Sequence, residues 1–243
     1  MRKLLLGSSA ILFILFLWQL NAVRIGNAYL FPFPKDVFIT LLSLLGSFTT
    51  YQIIFASFQR LITAIFLASL FGVVLGLLAG IKPAISDFFS PVVTSLRTLP
   101  VASVIVVILI LYGQSLSLYI ISFLMLFPIL YEATRQGVLN IDSTLLEALT
   151  LERRRMVYEI RNIYLPLSYP FIKTGLLQSI GIGFKVLVMA EFIAQSPISI
   201  GRALYLGRVN IQYEQVFAWT IIIIFIVSII EFGVNHLNKN LQK

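Results

Sequence analysis

Cysteine is absent from this chain, histidine occurs once (His236), and charged residues make up only 12% of its 243 positions. Without cysteine there is no disulfide framework and no thiolate metal site, and one histidine leaves little for histidine chemistry. The sequence also lacks a G-x-x-x-x-G-K-[ST] phosphate loop, an H-E-x-x-H pair and clustered carboxylates, the usual equipment of nucleotide or metal-dependent hydrolysis. We therefore expect no enzyme activity, no metal and no cofactor. No hydrophilic interval is long enough for a soluble domain. No internal repeat is visible either, which gives no support to an inverted-repeat carrier.

What is abundant is apolar. Hydrophobic residues reach 59% and the mean hydropathy is +0.97, whereas a soluble domain carries about twice this share of charge. Weakly charged runs of about 18 residues or more recur, the signature of membrane-spanning helices. The reading is an all-α integral membrane protein with spans at about 4–23, 51–80, 88–112, 116–138, 168–194 and 215–236. Residues 1–243 then form a single transmembrane domain: a first helix, a five-helix core over about 51–236, and a charged loop over about 139–166 within that core. Met1-Arg2-Lys3 before the first apolar run suits either a signal peptide or a first span. No small-x-small cleavage site follows, so a retained helix is expected.

The formal charge of +8 is not gathered into a patch or tail, so nucleic acid is not an expected partner. With the first helix starting inside, Arg2, Lys3, Lys82, Arg135, Arg153, Arg154, Arg155, Arg161, Lys239 and Lys243 fall on the cytoplasmic side. Only Arg24, Lys35, Arg202 and Arg208 fall clearly outside. That excess of basic residues places both termini in the cytoplasm of a multi-pass protein of the cell membrane. Phe31-Pro32-Phe33-Pro34 interrupts helix and marks an outer loop, residues 35–50 form a short amphipathic segment on the outer surface, and Ile81-Lys82-Pro83 makes a cytoplasmic turn.

Within the spans, Ala64, Ala68, Gly72, Gly76 and Gly80 repeat a small side chain every four residues, and Gly175, Ser179 and Gly183 repeat the device later. Such strips let two helix backbones approach closely, and helix packing is the reading adopted. Arg97, Lys185 and Glu191 are ionisable residues inside spans, where they must face protein or water. Lys185 and Glu191 lie about 120° apart in azimuth on an ideal helix, so a direct pair is not expected. Two readings stay open: a network between helices, with Arg97 as a member, or a place on a substrate path. Pro100 and Pro128 should each bend their helix.

The segment Glu147–Pro166 is the one place where the apolar chain turns charged. Asp142 or Ser143 suits the cap of a short helix from about 143 to 152, with Glu147 in its early turns, and Pro166 is expected to break helical continuity before the next span. On charge alone the loop serves equally as a docking element for a partner or as a basic loop touching anionic lipid.

Its spacing resembles the EAA loop of permease subunits in ATP-binding-cassette (ABC) importers: Glu-Ala-Ala, a Gly four residues on, then Ile-x-Leu-Pro. Glu147, Ala148, Ile163, Leu165 and Pro166 match, while Leu149 replaces the second Ala and Arg153 replaces the Gly. Leu30-Phe31-Pro32-Phe33-Pro34, Ser57-Phe58-Gln59-Arg60, the stretch Pro91–Pro100 with Arg97, Lys185–Glu191 and Ile200-Gly201 resemble further segments of the nitrate/sulfonate/taurine-type branch. The resemblance implies a type I ABC importer transmembrane-domain fold with a cytoplasmic coupling helix, in a homodimer served by two cytoplasmic ATPase subunits and an extracytoplasmic solute-binding protein. It also implies a small solute as cargo, of the nitrate, sulfonate, taurine or vitamin-precursor class. The binding protein would dock on the outer loops around 24–50 and 195–214. An ATP-independent carrier is the alternative; it would need acidic relay residues, and only Glu132, Glu191 and Glu231 are available within spans.

Overall fold

The computed structural model describes the backbone of residues 2–142, 144 and 155–239, and the side chains of residues 9–142, 144 and 155–233. Every element among them is helical: α1 (Arg2–Ile25), α2 (Pro34–Gly46), α3 (Phe48–Ile81), α4 (Pro83–Thr98), α5 (Val101–Leu139), α6 (Met156–Ala194), α7 (Ile200–Val209) and α8 (Tyr213–Lys239). Among the described residues, four stretches are long and apolar enough to cross a membrane: Phe48–Ile81, Val101–Leu139, Met156–Ala194 and Tyr213–Gly233. Ser9–Ile25 is a shorter apolar helix.

Local chemistry sets the boundaries. Gly26 takes a φ of +64° that only glycine adopts freely, and its N–H closes the end of α1 on the Ala22 carbonyl. Proline occupies the first turn of α2 (Pro34) and of α4 (Pro83), where its missing N–H costs nothing. Of the segment expected at 35–50, residues up to Gly46 form the separate helix α2, while Phe48 onward already belongs to α3. Trp18 stacks on Phe217 of α8 at a centroid distance of 5.3 Å and donates through Nε1 to the Pro32 carbonyl at 3.0 Å, tying α1 to the proline-rich loop.

The crossing expected at 88–112 is not one helix. The chain breaks at Leu99–Pro100 into α4 and the first arm of α5, because Pro100 has no N–H to continue the ladder. Pro100 therefore ends one helix and caps the next, where a bend within a single helix was expected. Pro128 remains inside α5. The gap expected between 112 and 116 falls at Gly113, whose φ of +70° folds α5 sharply between residues 101–112 and 114–139. Ser117 Oγ there donates to the Ile108 carbonyl at 3.0 Å, a reach that a straight helix forbids over nine residues.

A second correction concerns Pro166. The helix runs unbroken through it, because the π-turn Ile160–Tyr164 just before it shifts the hydrogen bonding to i→i+5 and accommodates a residue without an N–H. The loop after α6 also holds a helix, α7, that the sequence reading did not anticipate.

The α3–α5 and α5–α6 pairs form the centre. A Cβ on Gly72 would come within 2.8 Å of Leu130 Cβ, one on Gly76 within 2.6 Å of the Tyr131 carbonyl oxygen, and one on Gly80 within 2.5 Å of Val138 Cβ. Ala64 and Ala68 are fully buried in the same layer with Leu126 and Leu130. Towards the α7 end, Leu61, Ile105, Leu118, Phe184 and Trp219 make a second core.

Candidate functional site

Glu191, at the last turns of α6, has no exposed surface. A carboxylate in that position is costly unless its oxygens are satisfied. Ser57 Oγ on α3 lies 2.8 and 2.9 Å from its two oxygens, Arg60 Nη1 donates to Oε1 at 3.0 Å, and the Gly201 N–H donates to Oε2 at 3.3 Å. Ser57 Oγ also accepts from the Ile200 N–H at 3.2 Å. The carboxylate thus meets the N-terminus of α7, where the helix dipole favours negative charge. The approach requires Gly201: a Cβ there would fall 2.2 Å from the Phe192 nitrogen.

Arg60 extends this cluster into the turn between α6 and α7. Its guanidinium donates to the carbonyls of Ile198 (3.1 Å) and Pro197 (3.0 Å). Gln195 and Ile198 both hold positive φ in this turn, at 51° and 48°. Ser199 caps α7 by accepting from the Arg202 N–H at 3.1 Å. Exposed Ile198 separates a cavity of about 370 Å³ beside Arg60 and Tyr119 from one of about 700 Å³ beside Thr50, Arg202 and Trp219.

The other ionisable residues singled out from the sequence go elsewhere. Lys185 Nζ bonds Glu231 Oε1 of α8 at 3.3 Å, with both side chains more than half exposed. Glu191 and Lys185 make no direct pair, and Arg97 joins neither. Arg97 is exposed at the end of α4, just before the Leu99–Pro100 break, and forms no hydrogen bond or ion pair among the described residues. It lines a polar cavity of about 160 Å³ with Ser90, Thr94, Tyr131, Glu132 and Arg135. It also lines an apolar cavity of about 240 Å³ with Val101, Pro128 and Val186. The polar cavity escaped the sequence reading, although charged Glu132 and Arg135 inside an apolar run were its available signal.

Of the loop residues, Glu147, Ala148, Leu149 and Arg153 lie outside the described residues, as does most of the short helix expected at 143–152. Asp142 Oδ1 accepts from the Thr144 N–H at 2.9 Å and from its hydroxyl at 2.8 Å, the geometry of a helix cap. Thr144, hydroxyl first and amide second, holds the Asp142 carboxyl below the usual carboxylate range. Ile163 is half-buried in the π-turn, and Leu165 and Pro166 are exposed at the start of the α-helical part of α6. Just beyond them α5 and α6 touch closely: a Cβ on Gly137 would meet Ser168 Cβ and Phe171 Cβ at 2.9 Å.

Phe13, Phe55, Phe66, Ile110 and Phe225 are all at least 60% exposed on the helix surfaces. So large an apolar exterior, on helices of spanning length, defines a multi-pass membrane protein. Residues 72–243 match the family of binding-protein-dependent transport system inner membrane components, and the chain belongs to that family. It is 25% identical over 242 residues to the taurine transport system permease protein of Escherichia coli (strain K12), covering 97% of this chain and 87% of that protein. The putative aliphatic sulfonates transport permease protein of Bacillus subtilis (strain 168) is also 25% identical, over 233 residues, with 95% and 84% covered. In fold, the chain is similar to the inward-facing MetNI methionine ABC transporter. The TM-score is 0.63 at 15% identity, covering 81% of this chain and 100% of the other. The chain is a permease subunit of an ABC importer with the type I transmembrane fold.

Proposed function

We propose that residues 1–243 form one transmembrane domain, that two copies assemble with two separate cytoplasmic ATPase subunits, and that a solute-binding protein delivers a small solute to the opposite face. The family membership supports this reading most directly. Placing Lys82, Arg135, Arg161 and both termini in the cytoplasm of the cell membrane follows the excess of basic residues at that end. Glu147, Ala148, Leu149, Arg153, Ile163, Leu165 and Pro166 then form the ATPase contact.

The geometry gives that contact leverage. The charged segment leaves α5 and re-enters α6 where Gly137 brings the two helices together, so displacement of the segment acts on a tightly packed pair. Closure of the ATPase pair would draw two such segments together and shift the dimer between inward- and outward-facing states. Lys185, exposed inside a span where an ionisable group must face water or protein, and Arg97, exposed at the Pro100 break, are assigned to the translocation path. Glu191 is assigned to a clamp, not the path, because its carboxylate is enclosed by Ser57, Arg60 and Gly201. The solute falls in the nitrate, sulfonate, taurine or vitamin-precursor range. The binding protein meets the surface formed by α2, the 195–199 turn and α7.

The test is co-purification of the chain with an ABC ATPase and ATP-dependent uptake by the reconstituted complex, both lost in Glu147→Arg. Solute transport by the isolated chain would overturn the proposal.

A further inference from the structure

We infer that Arg60 is a positioning residue for transport: it holds the Pro197–Ile198 turn as a closed partition between two cavities, and the cavities join when that hold is released. The inference rests on the permease reading and deepens it.

The partition is the tip of the turn between α6 and α7. The ends of the turn are anchored. Ser196 and Ser199 are 3% and 1% exposed, the Ser199 hydroxyl donates to the Ser196 carbonyl at 2.7 Å, and the Ser196 N–H reaches the Glu191 carbonyl at 3.4 Å. The tip itself stands free. Pro197 and Ile198 are exposed, and among the described residues they alone line both cavities. The cavity of about 370 Å³ continues over Ala56, Ser115 and Tyr119, and that of about 700 Å³ over Thr50, Ala203 and Trp219. Displacing the tip removes the wall between them.

Ile198 is an unfavourable residue for that tip. Its φ of +48° lies in the left-handed region, where a β-branched side chain is strained. Such a conformation persists only where the surroundings impose it, and it is commonly found in segments that switch. The Ile198 side chain is 61% exposed and gains little from packing, so the constraint has to act through the backbone. Arg60 supplies it. Nη2 donates to the Pro197 carbonyl at 3.0 Å and Nη1 to the Ile198 carbonyl at 3.1 Å, while Nη1 also donates to Glu191 Oε1 at 3.0 Å. The planar fork of a guanidinium spans two successive carbonyls and a carboxylate together, where a compact ammonium offers one point of contact. Gln195, at φ 51°, differs in kind: it is the left-handed residue that ends α6, an ordinary helix terminus. The strain therefore sits at the partition, held by one side chain rooted on α3. Once Arg60 lets go, the backbone of Ile198 relaxes and carries the tip away from α3.

The chain has no cysteine, so a single Ser196→Cys, buried under the closed turn, reports its opening. The full-length chain in nanodiscs is labelled with a water-soluble maleimide, and Ser179→Cys, fully buried within α6, is the control for general unfolding. Arg60→Lys keeps the charge beside Glu191 and should speed labelling at position 196 by about tenfold or more, the loss of charge-assisted hydrogen bonds. Adding Ile198→Gly should bring the rate back towards wild type, because glycine takes the left-handed form without strain. Ile198→Gly alone should label more slowly than wild type and, in the complex reconstituted with its ATPase, should slow uptake. Unchanged labelling in Arg60→Lys would overturn the inference, as would failure of Ile198→Gly to reverse it. Undiminished uptake in Ile198→Gly would also overturn it, leaving the turn a structural feature only. Should Arg60→Lys expose the Ser179→Cys control as well, Ile198→Gly decides alone: slower labelling supports the partition, and equal or faster labelling refutes it. Capture of the ATPase by the unsubstituted chain is measured separately. Its failure strikes the permease reading, while labelling that ignores Arg60 and Ile198 with capture intact strikes only the partition.

Discussion

Arg60 and Glu191, 131 positions apart in sequence, meet at 3.0 Å and fasten α3 to the end of α6. The same guanidinium holds the carbonyls of Pro197 and Ile198, so one side chain fixes both a helix contact and the shape of a turn. The carboxylate in turn receives Ser57 and the Gly201 N–H of α7. Three helices converge on a single buried charge.

Removing either partner leaves the other charge uncompensated. Glu191→Ala should destabilise the folded chain by about 3–5 kcal/mol, the usual cost of breaking a buried pair. Glu191→Gln keeps an acceptor for Ser57 and should cost less. Thermal unfolding in nanodiscs checks both, and an Ala variant as stable as wild type would refute the clamp.

Gly76 faces the Tyr131 carbonyl oxygen with no room for a side chain. Gly76→Leu should force α3 and α5 apart, at a cost of about 1–3 kcal/mol or more. Gly46 and Gly233, with nothing within 4 Å of a built Cβ, are the matched controls and should accept alanine with little effect. Comparative melting of the three variants is the measurement.

Lys185 and Glu231 form an exposed pair between α6 and α8. If water reaches it, as the pathway assignment requires, the bond itself is worth little, about 0–1 kcal/mol. Charge reversal at one position should then reduce transport while leaving the melting temperature nearly unchanged. The double reversal, Lys185→Glu with Glu231→Lys, should restore the pair and part of the transport. A large stability loss from the single change would remove the pair from the water-filled path.

Asp142 supplies a pH-dependent cap. Its carboxyl is held below the ordinary range, so its contribution is present above the unfolded pKa and disappears as pH falls through the lower folded value. Exchange of the Thr144 amide, after correction for intrinsic rates, should therefore accelerate in acid below the usual carboxylate range. Asp142→Asn should abolish that dependence.

Much of this protein was legible because apolar spans announce themselves by composition. The crossings at 51–80, 168–194 and 215–236 needed only hydropathy and length, and the small-residue series from Ala64 to Gly80 identified the strip now seen against α5. The break after Arg97 was harder. Pro100 signalled a bend, but hydropathy continues across it and masked the division into α4 and α5. Pro166 misled in the other direction, since a π-turn is a hydrogen-bonding solution that residue spacing does not reveal.

The sequence by itself determined the class of molecule, the long apolar stretches at 51–80, 168–194 and 215–236 and the charged interruption between α5 and α6, because burial in lipid constrains composition residue by residue. Only the tertiary structure decided which charge meets which. For Glu191 the sequence excluded a direct pair with Lys185 and offered only a network between helices with Arg97 as a member; the structure supplies Ser57, Arg60 and Gly201. Pairing across helices depends on azimuth and depth in a packed bundle, and no local pattern encodes either. The same fact leaves Arg97 without a bonded partner among the described residues, at the boundary of a polar and an apolar cavity.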